Sequence, residues 1–289
     1  MAVTAQAVKE LRERTGAGMM DCKRALTDAA GDGDKAVVLL RERGLAKAVK
    51  RAGRETSEGT IAMALQAGAA GIVELGCETD FVAKTDDFQA LAEKLAAVVL
   101  ANPEASDVAA LAELEIAGEK VAEIISQAIG KLGENIVLKR IAREDAGAGQ
   151  AGGYIHAGGK LGVIVGLRTE ASGERVAALA RDVAMHVAAA DPSPVGVDRD
   201  EVPKALLDKE AEIYRKQAEQ EGKPEKVIEK IVEGRIRKYY REVCLLEQAF
   251  VKDPERSVQQ ILADAGKELG SPVVVSGFVR FRLGEVGGA

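Results

Sequence analysis

The sequence has no tryptophan, two histidines, three cysteines and only 3% aromatic residues in a chain of 289. Each shortage removes a class of function. Cys22, Cys77 and Cys244 lie far apart with no Cys-x-x-Cys spacing, which excludes a disulfide framework or a cysteine zinc site and leaves three separate, packed thiols. His156 and His186 stand in no His-Glu-x-x-His or other metal spacing, so no metal site is expected. No Gly-x-Ser-x-Gly elbow is present. Gly159-Lys160 fails as a phosphate loop, because Tyr154 occupies the first glycine position and Leu161 the Ser/Thr position. Gly16-x-Gly18 fails as well: it follows a helical pattern rather than a strand and lacks the downstream glycine. No run approaches the ~18 apolar residues of a membrane span, and Met-Ala-Val-Thr-Ala-Gln-Ala leads into charged residues rather than the apolar region of a signal peptide. The expectation is a cytoplasmic protein that is not an enzyme, carries no cofactor and binds no nucleotide directly.

What is present is ordinary soluble composition, 47% hydrophobic and 30% charged, at a length sufficient for two or three domains. The net charge of −6 is uneven. Residues 1–54 hold twelve Lys/Arg against seven Asp/Glu, or +5, leaving −11 for the remainder. Those basic residues interleave with carboxylates and include no aromatic residue for stacking on bases. A protein surface is therefore the better partner for this end than nucleic acid. A ribosome- or RNA-associated protein using the basic front is the alternative reading.

Taken in order, Ala7, Val8 and Leu11 share a helical stripe with Thr4 as cap, and Gly16-Ala17-Gly18 ends that helix. A second helix spans about Met19–Ala30, with Met20, Cys22, Ala25, Leu26 and Ala29 available for burial. Asp34 caps a third that carries Ala36, Val37, Leu40 and Leu45. This makes a three-helix module over 1–53, with a polar linker around Ala52–Gly59. Thr60–Gln66 and Gly71–Cys77 read as a β-hairpin turning through Ala67–Ala70. Helical segments follow at Phe88–Val99, Val108–Leu114 and Glu119–Ile129, and Ile136–Ile141 is a third strand. This first α+β subdomain covers 54–142, its helices on one sheet face. The order then repeats over 143–289: a hairpin from Tyr154-Ile155-His156 and Leu161–Leu167, a helix over Glu174–Ala190, a helix over Val258–Leu269 and a strand over Val273–Phe281. Inserted at about 198–241 are two amphipathic arms joined by Glu221-Gly222-Lys223-Pro224, an antiparallel helical hairpin of coiled-coil type. Its stripes need a cover, either the body of the protein or another subunit, as in a homodimer or 2:2 assembly.

Three residues gain interest from position. His186 lies on the apolar stripe of its helix and reads as a core histidine, whereas His156 lies beside a glycine-rich turn and reads as exposed. Phe81 falls between a strand (Ile72, Val73, Leu75) and the capped start of a helix (Thr85, Asp86, Asp87). Its ring either closes over the core or projects outward, and composition leaves both open.

Leu11–Leu26, LRERTGAGMMDCKRAL, closely resembles the N-terminal signature of the bacterial translation elongation factor Ts family. Glu74–Lys84, ELGCETDFVAK, resembles its second signature, centred on Thr79-Asp80-Phe81-Val82. The similarity continues through Lys131–Asn135, His156–Gly162, Ala184–Ala189 and Gly277–Phe281. The resemblance implies a guanine-nucleotide exchange factor that promotes release of GDP and Mg²⁺ from the GTPase elongation factor Tu during polypeptide chain elongation. It implies that the N-terminal module, similar to a ubiquitin-associated domain, docks on the GTPase's nucleotide domain through Met19, Met20 and Lys23. Asp80 and Phe81, flanked by Thr79 and Val82, match the pair that intrudes near the Mg²⁺ and switch region, and Leu132 and Gly133 match positions near the same domain. His156, Arg181 and Val251 match the second subdomain's side of the interface. Asp182 stands where some members have histidine, and Lys252 where they have an apolar residue. Many members continue past the last strand into a short helical module, and with this chain stopping at Gly284–Ala289 that contact is expected to be missing or reduced.

Overall fold

A computed structural model describes residues 3–285; the expectation about the chain beyond Glu285 lies outside them. Helix α1 (Ala5–Thr15) begins where the Thr4 hydroxyl accepts from the Ala7 amide and ends at Gly16, at φ 65° in the left-handed region that a side chain would strain. Helices α2 (Met19–Asp28) and α3 (Gly33–Arg51) follow, and Val8, Leu11, Cys22, Ala25, Leu26 and Ala36 form their shared core. Three expectations change here. The cap of α3 is Asp32, whose carboxylate accepts from the Asp34 and Lys35 amides, and Asp34 falls one residue inside the first turn. Met20 is 63% exposed because it lies on the opposite side of α2 from Cys22, and the inward stripe is already filled by Cys22, Ala25 and Leu26. Leu45 is likewise exposed on α3.

Strands β1 (Glu58–Gln66) and β2 (Ala69–Cys77) pair antiparallel through the two-residue turn Ala67-Gly68, so Ala69 and Ala70 belong to the strand and not to the turn. Next come α4 (Asp80–Ala83), α5 (Asp86–Ala101) and α6 (Val108–Glu113). A miniature hairpin of β3 (Glu115–Ile116) and β4 (Glu119–Lys120) then turns through Ala117 and Gly118, both at positive φ. This hairpin delays the expected helix start from Glu119 to Val121, giving α7 (Val121–Leu132), and β5 (Ile136–Asp145) joins the sheet in the order β1-β2-β5.

The second half has β6 (Gln150–Ile155), β7 (Leu161–Arg168), α8 (Glu174–Ala189), α9 (Lys204–Gln220) and α10 (Glu225–Val243). After a 3₁₀ turn at Leu245–Glu247 come β8 (Ala249–Phe250), β9 (Asp253–Ser257), α11 (Val258–Leu269) and β10 (Val274–Arg282). Its sheet runs β6-β7-β10, so in both halves a hairpin receives its third strand beside the hairpin's second strand, all antiparallel. The chain is α+β.

The two sheets stack face to face through Ile61, Ala70, Ile72, Ala151, Ile164 and Phe281. Helices α5 and α7 cover the outer face of the first sheet, and α8 and α11 that of the second. In this helix–sheet–sheet–helix order, β2 and β7 are buried on both faces, the reason they read as continuous apolar runs. Glu74 enters the stack 1% exposed and is neutralised there by Arg140, whose Nε lies 2.7 Å from Oε2. The inserted helices α9 and α10 pack on one another, with Ala218 and Ile228 buried between them, and are rooted at Val202, Val243 and Cys244. Among the described residues no helix is long and apolar enough to cross a membrane, and no cluster of His, Cys, Asp and Glu is suited to a metal ion.

Candidate partner-binding edge

The connection after β2 is a single helical turn. Thr79 caps it, its hydroxyl accepting from the Val82 amide at 3.4 Å. Ala83 is buried and Val82 packs against the first core, which leaves Phe81 directed away from the core and 81% exposed. Thr85 caps the next helix at once through the Phe88 amide, and Phe88 is fully buried, so both ends of the turn are fixed. Asp80 pairs with Lys84 at 2.6 Å. The Lys84 hydrogen bond, and more distantly the Lys160 charge, hold the Asp80 carboxyl below the usual carboxylate range, so it is anionic at neutral pH.

This turn is braced against the end of α7. The Thr79 amide donates to Glu134 Oε2 at 2.9 Å and its hydroxyl donates to Oε1 at 2.6 Å. In the other direction the Asn135 amide donates to Glu78 Oε1 at 2.6 Å, and Asn135 Nδ2 donates to the Arg54 carbonyl at 2.8 Å. The brace ties Thr79 to the residue that follows Leu132 and Gly133. Gly133, at φ 81°, is the residue that reverses the chain there.

The N-terminal helices approach the same place. Helix α3 crosses α7 where Gly44 meets Gly130, and the Lys131 side chain lies so close to Gly16 that an added Cβ would fall 2.8 Å from Lys131 Cε. Met19, 58% exposed, and Met20 follow directly on that turn. Lys23 is exposed on α2, and no ion pair to it occurs among the described residues. From the other half, the turn between β6 and β7 reaches the first sheet: the Ile61 amide donates to the Gly159 carbonyl at 2.7 Å, and Lys160 pairs with Glu58 at 2.8 Å.

A second patch lies on the second sheet's side. His156 is exposed, with Nδ1 3.0 Å from the Tyr154 hydroxyl, and with Val251 it lines a depression of about 660 Å³ floored by Leu161, Met185 and Ala188. Val251 is 40% exposed and held from behind. Its amide donates to His186 Nδ1 at 3.2 Å, while His186 Nε2 lies 2.9 Å from Gln248 Oε1. The Gln248 amide group is committed as donor to the Pro192 and Glu242 carbonyls, so Oε1 faces the ring and Nε2 carries the proton. Burial pushes the His186 pKa down, which keeps the ring neutral. Asp182 and Lys252 pair with each other at 2.6 Å.

Of the residues singled out from sequence, Thr79 is bonded to Glu134, which follows Leu132 and Gly133, Val82 and Leu132 pack against the same core, and His156 and Val251 share one depression. Arg181 is exposed on α8 one turn before Met185 and lies outside that lining. Sequence reasoning missed Glu134, Glu78, Tyr154 and Met185. Glu134 and Asn135 fall within the similarity over Lys131–Asn135, but no local pattern announces a bond to a residue 55 positions away. The edge presents an exposed ring beside an anion on a rigid mount, an arrangement suited to insertion into a partner.

The family model for elongation factor Ts matches residues 78–285. The elongation factor Ts of Clostridium perfringens (strain SM101 / Type A) is 47% identical over 286 residues, covering 98% of this chain and 93% of the relative. Those of Maricaulis maris (strain MCS10) and Clostridioides difficile (strain 630) are each 46% identical, covering 98% of this chain and 92% and 93% of the relatives. With a fold of two matched antiparallel sheets behind an N-terminal helical cluster, and identity at this level along nearly its whole length, the chain belongs to the elongation factor Ts family.

Proposed function

We propose that the protein is the guanine-nucleotide exchange factor for elongation factor Tu, releasing GDP and Mg²⁺ from that GTPase during polypeptide elongation, and that it makes and breaks no covalent bond. The observation that carries this reading is Phe81. A phenyl ring 81% exposed on a turn capped at both ends is held out at the expense of its own burial, worth roughly 1.5–3 kcal/mol when a partner covers it. That gain offsets the displacement of groups that hold Mg²⁺ and phosphate, and the Asp80 carboxylate adds a competing negative charge. Thr79, Val82, Leu132 and Gly133 complete the surface, and Met19, Met20 and Lys23 extend it along the N-terminal module. His156, Arg181 and Val251 engage another part of the GTPase.

The three units 1–53, 54–142 and 143–289 thus act as one scaffold for two contact patches. The α9–α10 hairpin takes the role of a subunit contact, in a homodimer or a 2:2 complex with the GTPase. Exchange is a matter of linkage: the factor speeds GDP loss only by binding the nucleotide-free GTPase more tightly than the loaded one. The test is release of fluorescent GDP from elongation factor Tu with and without substoichiometric protein. Accelerated release is expected. Unchanged release, particularly with salt-sensitive RNA copurifying, would transfer support to the RNA-associated reading.

A further inference from the structure

We propose that Glu134 is the positioning residue for the Phe81 turn, setting the orientation of the ring without touching the partner's nucleotide site itself; this rests on the exchange-factor reading above. A helix of four residues has no stability of its own, since forming a first turn fixes several dihedrals for one hydrogen bond. Something outside the turn must hold Asp80–Ala83 in place.

The cap supplied by the Thr79 hydroxyl is long, 3.4 Å to the Val82 amide, and so contributes little restraint. The far end of the turn is held by the Thr85 hydroxyl donating to the Val82 carbonyl at 2.8 Å and Gln89 Nε2 donating to the Ala83 carbonyl at 2.6 Å. At the near end the strong restraint is the Glu134 carboxylate, which takes both donors of Thr79, amide at 2.9 Å and hydroxyl at 2.6 Å, one on each oxygen. Two bonds to one residue fix rotation as well as distance, so the first residue of the turn has a defined orientation and Phe81, two residues on, inherits it. Glu134 follows Gly133 at the end of α7, an element of the packed first core, which makes the mount rigid. Glu78 accepting the Asn135 amide closes the loop in the reverse direction. The edge therefore behaves as one piece: Phe81 and the Leu132–Gly133 patch are held in fixed register by a carboxylate that lies between them.

Glu134→Gln keeps the volume but replaces two bonds to a carboxylate by neutral ones, and its NH₂ group meets the Thr79 hydroxyl, which must turn from donor to acceptor. Hydrogen bonds to a charged group of this kind correspond to about a tenfold or larger effect when lost. The experiment is a double-mutant cycle on fluorescent GDP release from elongation factor Tu: parent, Glu134→Gln, Phe81→Ala and the double variant. The expected result is that Glu134→Gln slows exchange about tenfold in the parent background and has no further effect once Phe81 is alanine. Equal losses in both backgrounds would overturn the positioning role. Failure of the parent to accelerate release, or a Phe81→Ala variant as active as the parent, would instead overturn the functional reading.

Hydrogen exchange on the free protein supplies a readout independent of activity. Residues 79–83 should lose protection in Glu134→Gln while α5 keeps its own. Unchanged protection at 79–83, or equal loosening of α5, would overturn the proposal.

Discussion

His186 is the buried residue whose protonation state reaches the surface. Its neutral Nδ1 accepts the Val251 amide, and a protonated ring has no lone pair there to offer. Burial lowers its pKa below the ordinary 6.5. As pH falls below 6.5 the unfolded chain takes up a proton that the folded state resists, so the contribution to stability is fully present above 6.5 and is lost as pH falls toward the lowered value. The thermal unfolding midpoint of the parent should therefore drop more between pH 7.5 and 5.5 than that of His186→Gln. Parallel pH profiles for the two would contradict this assignment. That His186 is a core histidine follows from its place on an apolar stripe. That it props Val251 does not, because Val251 lies 65 residues away and only the fold brings the two together.

At the scale of elements, close approach of backbones decides which glycines matter. An alanine Cβ at Gly152 on β6 would fall 2.5 Å from Ala180 Cβ and 2.6 Å from the Ala180 carbonyl carbon, so α8 would have to lift off its sheet. Gly152→Ala is expected to cost roughly 1–3 kcal/mol, as overpacking does. At Gly44 on α3 the added Cβ meets only the Ser126 carbonyl at 3.9 Å, and the helix propensity of alanine should stabilise by up to about 1 kcal/mol. Urea unfolding midpoints check both; a Gly152→Ala protein as stable as the parent would show that this contact yields easily.

The helices and strands themselves were largely legible, because caps such as Thr4 and Thr85 and the stripe from Phe88 to Val99 are local signals. The repeat of hairpin, helix and closing strand along the chain was legible for the same reason, while the position of the closing strand within each sheet was not. Face-to-face stacking of the sheets was not, since strands buried on both sides carry no alternation that says what covers the second face. The turn bearing Phe81 read as a plain connection because four residues are too few to show a period. Its outward ring was legible only through the resemblance to a family, and its brace at Glu134 not at all.

On the scale of the whole molecule, two stacked sheets carry the proposed contact patches, and a helical hairpin is inserted in the second half. Helices α9 and α10 bury their inner residues against each other and meet the body around Val202, Val243 and Cys244. Replacing residues 204–241 with a short Gly/Ser linker should leave a body that unfolds cooperatively and still accelerates GDP release, while any self-association seen by sedimentation is lost. A body that fails to fold would show that the hairpin supports the core. The proposed exchange activity requires that the protein discriminate between states of the GTPase, which is tested most directly at equilibrium. The measurement is the Kd of the protein for elongation factor Tu free of nucleotide and for the same GTPase loaded with GDP and Mg²⁺. Binding to the loaded form should be weaker, by roughly 5- to 150-fold if the coupling is of ordinary size; equal Kd values for the two forms would contradict the account.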